Sequence, residues 1–287
     1  MRYGLTILPE FRWRDAEPRW RRAEELGFDH AWTFDHLAWR TLADGPWFGT
    51  VPTLTAAAIA TQRIKLGTFV ASPNFRHPVS FVRELLSLDD ISRGRFVLGF
   101  GAGGIGVDAT VLGNDVLPPG KRVARLGEFL ELLDQLLTDD HVNYDGAFYQ
   151  AVDARTLPGC VEEPRLPFVV AASGPRSMRL VAKYGQGWVT TGPRDGETNE
   201  DWWNGVKHQS DQLTDVLAEA GRDPATIDRY LALDSSGTLA LSSVDHFENA
   251  VGRAEELGFT DVIVHEPRTT EPFKGDEKVL EQLTLRR

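Results

Sequence analysis

Eight short apolar runs recur along the 287-residue chain, at residues 3–8, 28–34, 64–70, 95–100, 168–172, 187–191, 229–234 and 261–265. Most are separated by a segment with helical period, so the chain reads as strand and helix in alternation, the pattern of a parallel sheet covered by helices. Helices are expected over 15–26, 53–61, 121–137, 176–184, 202–220 and 278–285, with two more opened by Pro78 and Ser243. The first has Trp20, Ala23 and Leu26 on its apolar side and Gly27 at its close. An internal echo supports this reading. Arg22-Ala23-Glu24-Glu25-Leu26-Gly27-Phe28 returns as Arg253-Ala254-Glu255-Glu256-Leu257-Gly258-Phe259, each copy a helix end, a glycine cap and the entry to a buried strand. Lys183 to Trp188 is a looser third version. Eight strands close economically as a (β/α)8 barrel; a doubly wound open sheet, the competing architecture, needs no eighth strand.

The rhythm breaks once. Tyr144-Asp145-Gly146-Ala147 has a hairpin turn at its centre, and a proline-punctuated excursion runs on to Pro167. The expectation is therefore a single barrel domain over residues 1–287, with a small hairpin-containing insertion between its fourth and fifth strands.

Composition narrows the function. A net charge of −11 and a pI near 5.1 argue against a nucleic-acid partner. Cys160 is the sole cysteine, so there is no disulfide framework or cysteine metal cluster, and a buried inert thiol is expected. No apolar run reaches 18 residues and the N-terminus goes straight into a strand, which gives the expectation of a soluble, cytoplasmic protein with no membrane partner.

Polar residues gather where the strands end, the side on which barrels do chemistry. The fourth strand runs into Gly99 to Gly106, glycine at five of eight positions, where something large approaches the backbone or a tight turn packs on a neighbour. Asp35-His36 follows the second strand, Ser72 and Asn74 the third, Ala172-Ser173-Gly174-Pro175-Arg176 the fifth and Thr190-Thr191-Gly192 the sixth. Ser173-Gly174-Pro175 at a helix start is a natural anion cradle, because free amides and the positive helix end face the incoming group. A histidine at a strand end can take or give a proton near neutral pH, although a capping Asp beside a solvated His would look the same. His77 reads as a helix-start residue, Asp245-His246 as surface, and Trp202-Trp203 as cover for the barrel's flank. Trp39, Trp47, Phe48 and Phe75 stand on loops where exposure is costly unless they line something.

Thr33-Phe34-Asp35-His36, Leu66 to Val70, Phe75 to Pro78, Leu98 to Gly103, Ala171 to Arg176 and Gly185 to Trp188 stand in an order and spacing that resembles the bacterial-luciferase-like oxidoreductases, as does the hairpin from Tyr144 to Tyr149. The resemblance covers nearly the whole chain. It implies a small-molecule substrate, reduced FMN or the deazaflavin F420 at the barrel mouth, and a homodimer. Asp35-His36 resembles the F420 branch, where the FMN enzymes often carry Glu-His-His. In that branch Asp35 and His36 would face the reacting ring, Phe69-Val70 would form a non-proline cis peptide behind it, and Ser72, Ala102, Gly103, Ala172, Ser173, Gly174, Pro175, Arg176, Ser177 and Thr191 would contact the cofactor. Trp39 resembles, one residue displaced, a tryptophan lining the site of the family's sugar-phosphate dehydrogenases. Those enzymes carry a catalytic Glu where this chain has Gly104 and an Asn where it has Val107, so glucose 6-phosphate is not the expected substrate, although Arg194 stands near the place of a phosphate-holding lysine. The expected activity is hydride transfer between F420 and a small apolar or cyclic substrate, with His36 and Trp39 as catalytic residues. The alternatives are an FMN-dependent monooxygenase fed by a reductase partner, a metal-dependent hydrolase built on Asp35, His36, His77 and His265, and a cofactor-binding protein without turnover.

Overall fold

The computed structural model describes residues 1–104, 106–193 and 198–285. Its strands are β1 (Arg2–Thr6), β2 (His30–Thr33), β3 (Lys65–Thr68), β4 (Phe96–Phe100), β5 (His141–Asp145), β6 (Gln150–Arg155), β7 (Phe168–Ala171), β8 (Gly187–Thr190), β9 (Asp228–Ala232) and β10 (Asp261–His265). Its helices are α1 (Trp13–Glu25), α2 (Thr50–Ala60), α3 (Pro78–Ser92), α4 (Val107–Val111), α5 (Pro119–Thr138), α6 (Pro175–Tyr184), α7 (Asn199–Glu219), α8 (Val244–Glu256) and α9 (Lys278–Gln282). Eight strands close a barrel in the order β1-β10-β9-β8-β7-β4-β3-β2, and β5 and β6 form a separate antiparallel hairpin. The expected (β/α)8 barrel with a hairpin between its fourth and fifth strands is the observed fold. No helix among the described residues is long and apolar enough to cross a membrane.

The contacts divide the chain into two compact units. The first contains Met1–Leu8, Pro18–Trp32 and Val169–Arg287. Here β1 runs parallel to both β10 and β2, with Thr6 opposite His265 and Trp32. The repeated heptapeptide performs the same task twice. Gly27 and Gly258 take the left-handed conformation, at φ 90° and 79°, and the amides of Phe28 and Phe259 reach back to the carbonyls of Ala23 and Ala254. The looser third version does not share the device: Gly185 has φ −78° and an extended backbone. At the amino ends of the strands, the Trp32 indole donates to His30 Nδ1 at 2.6 Å, and His30 Nε2 lies 3.0 Å from Asp261, which Arg2 grips with two bonds. Burial works against the charge on Asp261, but the bonds from His30 and Arg2 hold its carboxyl below the usual range. A side chain at Gly4 would collide with the His30 ring, which is why that strand position is glycine. This network lies at the end of the barrel that serves stability.

The second unit contains Pro9–Glu17 and Thr33–Phe168. Leu66 and Gly67 of β3 pair with Phe96 and Val97 of β4, and past the strands Ala71 donates to the Gly99 carbonyl. Gly99 is required by its neighbour's main chain, because a Cβ there would collide with the Thr68 carbonyl oxygen. The hairpin is tied to α5 by one side chain: Glu128 accepts the amides of Ala147, Phe148 and Tyr149 at 3.0, 2.7 and 2.6 Å. Beneath it, Leu126, Phe129, Leu130 and Leu133 of α5 are buried. One element had no counterpart in the sequence reading. The five-residue helix α4 follows the glycine-rich loop and has Asp108 in its first turn.

Candidate active site

In the second unit, β2 ends at Thr33 and the chain turns through Phe34, Asp35 and His36. His36 is clamped at three points. Its Nδ1 lies 2.7 Å from Asp108 Oδ2, its carbonyl accepts the Trp47 indole N–H at 2.8 Å, and the next amide, that of Leu37, donates to Asp108 Oδ1 at 2.7 Å. Asp108 is fully buried, whereas the His36 side chain keeps 11% of its surface exposed. Aromatic rings box the imidazole in: Trp39 at 4.7 Å and Phe34 edge-on at 6.1 Å, with Phe34 also 4.6 Å from Trp39. Phe69 stacks on Phe34 at 6.2 Å, and the Phe69–Val70 peptide is cis. Trp39 lies against the His36 ring and Trp47 on its carbonyl, Phe75 lies under Arg76, and Phe48 is the exposed member of the set.

Asp35 is adjacent in sequence but faces another partner. It is 1% exposed, and Arg76 holds both its oxygens, Nη2 to Oδ1 at 2.7 Å and Nε to Oδ2 at 3.1 Å. The guanidinium is packed over Phe75 and Phe81 and reaches Glu84 as well. Asp35 thus fixes the loop that leads from β3 into α3, and the carboxylate that meets His36 is Asp108. His77 caps α3 by accepting the Val79 amide, as its position before Pro78 suggested. Ser72 is buried, and its hydroxyl accepts the Asn74 amide at 3.4 Å. Asn74 in turn takes the Arg125 guanidinium on its Oδ1 at 2.5 Å and donates to the Gly103 carbonyl at 3.4 Å. Gly103 has φ 74°, and a Cβ there would strike the Asn74 amide group, so glycine is required. Ala102 and Gly103 are half-buried and Gly104 is exposed.

In the first unit, α6 begins at Pro175, with Gly174 as its N-cap. Gly174 brings no capping side chain, its backbone is extended at φ −153°, and a Cβ there would meet nothing within 4 Å. The first-turn amides at Arg176 and Ser177 have no partner within the helix, and Pro175 lacks one altogether. Ser177 turns its hydroxyl to the Gly174 carbonyl at 2.9 Å. Ser173, Pro175 and Arg176 are exposed, while Ala172 is buried and its carbonyl accepts the Trp188 indole. Thr191 is exposed beside Gly192, whose left-handed turn is packed on Trp202; that indole donates to the Thr191 carbonyl at 3.1 Å. Trp202 and Trp203 are both buried, and Trp202 supports this turn from α7. Arg194 lies outside the described residues.

The ends of β9 and β10 carry a cluster that the sequence reading touched only through His265. Asp234 accepts from the His265 amide at 2.6 Å and from the Ala240 amide at 2.6 Å, and its Oδ2 lies 2.9 Å from His265 Nδ1. The His265 ring lies flat on Phe273 at 3.6 Å. The next residue, Glu266, is buried, which pushes its carboxyl up to about 7 although Arg19 stands 2.9 Å away. Among the described residues, no three His, Cys, Asp or Glu side chains are grouped to hold a metal ion; Asp35, His36, His77 and His265 each serve a different partner.

Comparison with known proteins agrees with this architecture. The family model of luciferase-like monooxygenases matches residues 1–235. An F420-dependent glucose-6-phosphate dehydrogenase of Amycolatopsis mediterranei is 33% identical over 249 residues, covering 82% of this chain and 73% of its own. A 4-hydroxyprotoasukamycin monooxygenase of Streptomyces nodosus subsp. asukaensis is 33% identical over 233 residues, covering 79% of this chain and 57% of its own. Among solved structures, an F420-dependent secondary alcohol dehydrogenase in complex with an F420–acetone adduct superposes with a TM-score of 0.78 at 17% identity, covering 92% of each chain. At that identity the likeness speaks for the fold. The sequence relatives and the family match speak for descent, and the chain belongs to the luciferase-like monooxygenase family.

Proposed function

We propose that this chain is a single-domain, F420-dependent oxidoreductase that moves a hydride between the deazaflavin and a small apolar or cyclic organic substrate. The observation that carries the reading is the imidazole of His36, held at the end of a barrel strand by a buried carboxylate and walled by Phe34 and Trp39, with Trp47 bonded to its carbonyl. Apolar walls favour an apolar substrate and leave one polar atom to handle its proton. The residues present suit the cofactor. The open space over Gly174, at the amino end of a ten-residue helix without a capping side chain, suits a phosphate.

The cofactor supplies the hydride acceptor or donor; the protein's share is orientation, exclusion of water and the proton. Trp39 and Phe34 hold the imidazole plane, and Trp47 and Asp108 fix its backbone and its Nδ1, so Nε2 is the atom left for the proton. Relatives named as F420-dependent support the deazaflavin. The substrate of the glucose-6-phosphate relative does not carry over, because Gly104 and Val107 stand where the resemblance places its Glu and Asn.

The test of substrate class is anaerobic. Cyclohexenone should oxidise reduced F420 in the presence of this enzyme, and glucose 6-phosphate should not reduce oxidised F420. Glucose 6-phosphate turnover at about 1 per second, an ordinary enzymatic rate, with no reaction of the cyclic ketone, would overturn the reading of the substrate. The monooxygenase relative favours a second reading, in which the same residues would hold FMN reduced by a partner enzyme, the flavin supplying the chemistry with oxygen.

A further inference from the structure

We infer that Asp108 is the positioning residue that sets the tautomer of His36 and thereby makes Nε2 the proton-transfer atom. Two nitrogens converge on this carboxylate. The Leu37 amide points at Oδ1 from 2.7 Å and His36 Nδ1 lies 2.7 Å from Oδ2. An ionised carboxylate accepts and cannot donate, so the proton of a neutral His36 must sit on Nδ1. Nε2 is then left with its lone pair, able to take a proton.

The geometry makes Asp108 different from any amide in its place. An asparagine has one oxygen and one NH2 group. The Leu37 amide has a fixed proton and will claim the oxygen, which turns the NH2 group toward His36 Nδ1. The imidazole must then accept at Nδ1 and carry its proton on Nε2, the wrong atom for a base. Asp108 is fully buried, so water does not relieve the mismatch. Asp35 cannot substitute, since both its oxygens are held by Arg76. Asp108 touches neither substrate nor cofactor in this account; it acts through His36 alone. In reverse, a protonated imidazole keeps its Nδ1–H on Asp108 and gives the Nε2 proton back, so the same residue serves both directions.

The chemical part rests on the proposed deazaflavin reading. In the oxidation of an alcohol, a bound deazaflavin would take the C–H hydrogen with both bonding electrons, as hydride, while the O–H proton goes to Nε2 of His36 and the C=O bond forms. In the reduction of an enone, a bound reduced deazaflavin would supply the hydride to the β carbon, and protonated His36 gives its Nε2 proton to the α carbon as the C=C bond is lost.

The test begins without cofactor or substrate. Nitrogen-15 NMR of histidine-labelled protein, with His36 assigned from its variants and the pH set where its ring is neutral, should show Nδ1–H in the parent. Asp108→Asn should show Nε2–H, and Asp108→Glu, which restores two acceptors, should return part of the signal to Nδ1–H. With reduced F420 and cyclohexenone, Asp108→Asn should lower the turnover rate roughly 10²-fold or more, with KM for cyclohexenone within about threefold. An Nε2–H tautomer in the parent overturns the inference even if no variant folds. So does a folded Asp108→Asn variant that keeps Nδ1–H or retains a rate within about threefold of the parent. If the tautomers behave as stated but F420 neither binds nor reacts, the role of Asp108 in orienting the imidazole stands and the deazaflavin reading falls.

Discussion

Replacing His36 with asparagine is expected to leave the protein folded and F420 bound, while turnover falls by about 10² to 10⁴, the usual range for general acid–base catalysis. Asparagine is chosen because its Nδ2 can occupy the place of the imidazole Nδ1 and keep the bond to Asp108, while the Nε2 position is deleted. Alanine removes both atoms and leaves a buried carboxylate oxygen short of a partner, a cost of about 1–3 kcal/mol that would blur the reading. The measurement is the melting temperature and the single-turnover hydride transfer of the same preparation. A structural histidine gives the opposite pattern, with His36→Asn losing stability and the surviving molecules reacting normally. A rate within about threefold of the parent in His36→Asn, under roughly 1 kcal/mol of barrier, would remove His36 from the chemistry.

Gly174→Asp is expected to abolish phosphate-dependent cofactor binding without harming the fold. The position is the N-cap of α6, its extended backbone suits any residue, and a Cβ would enter open space. Aspartate is among the best N-caps, so the new carboxylate should accept the first-turn amides and hold the helix as well as glycine does, or better by a few tenths of a kcal/mol. Those are the amides proposed for the phosphate, and the carboxylate both occupies them and repels the anion. Loss of even one charge-assisted hydrogen bond, about 1.5–3 kcal/mol, corresponds to a dissociation constant raised about 10- to 10²-fold. Gly174→Ser, which caps without charge, should bind between the two. An unchanged dissociation constant in Gly174→Asp, measured by calorimetry on a variant that melts like the parent, would place the phosphate elsewhere.

Much of this molecule could be read before its structure, for local reasons. Apolar runs such as Phe96 to Phe100 have no option but a buried strand, and the repeated helix-end sequence ending at Phe28 and Phe259 carries its own glycine cap. His77 and Ser243 announced themselves as helix starts. Long-range pairings were not legible. Asp35-His36 read as a couple because the residues are adjacent, yet their side chains part company, one to Arg76 and the other to Asp108, which is 72 positions away. Nothing in Val107-Asp108-Ala109 marks a helix, since a helix of five residues is too short to show a period. A signal was nevertheless there: an acid inside an otherwise apolar stretch, directly after a glycine-rich strand end. The His30–Asp261–Arg2 network was equally hidden, because its members come from three strand starts that only barrel closure brings together.

The central claim is the choice of cofactor, and one equilibrium measurement tests it most directly. The cofactor-free protein is titrated separately with F420 and with FMN, following the quenching of protein fluorescence, to which Trp39 and Trp47 beside His36 contribute. The account predicts saturable binding of F420, tighter than that of FMN by about tenfold or more, a difference of about 1.4 kcal/mol. Tighter binding of FMN, followed by oxygen consumption when reduced FMN is supplied, would contradict it and make this chain a flavin monooxygenase.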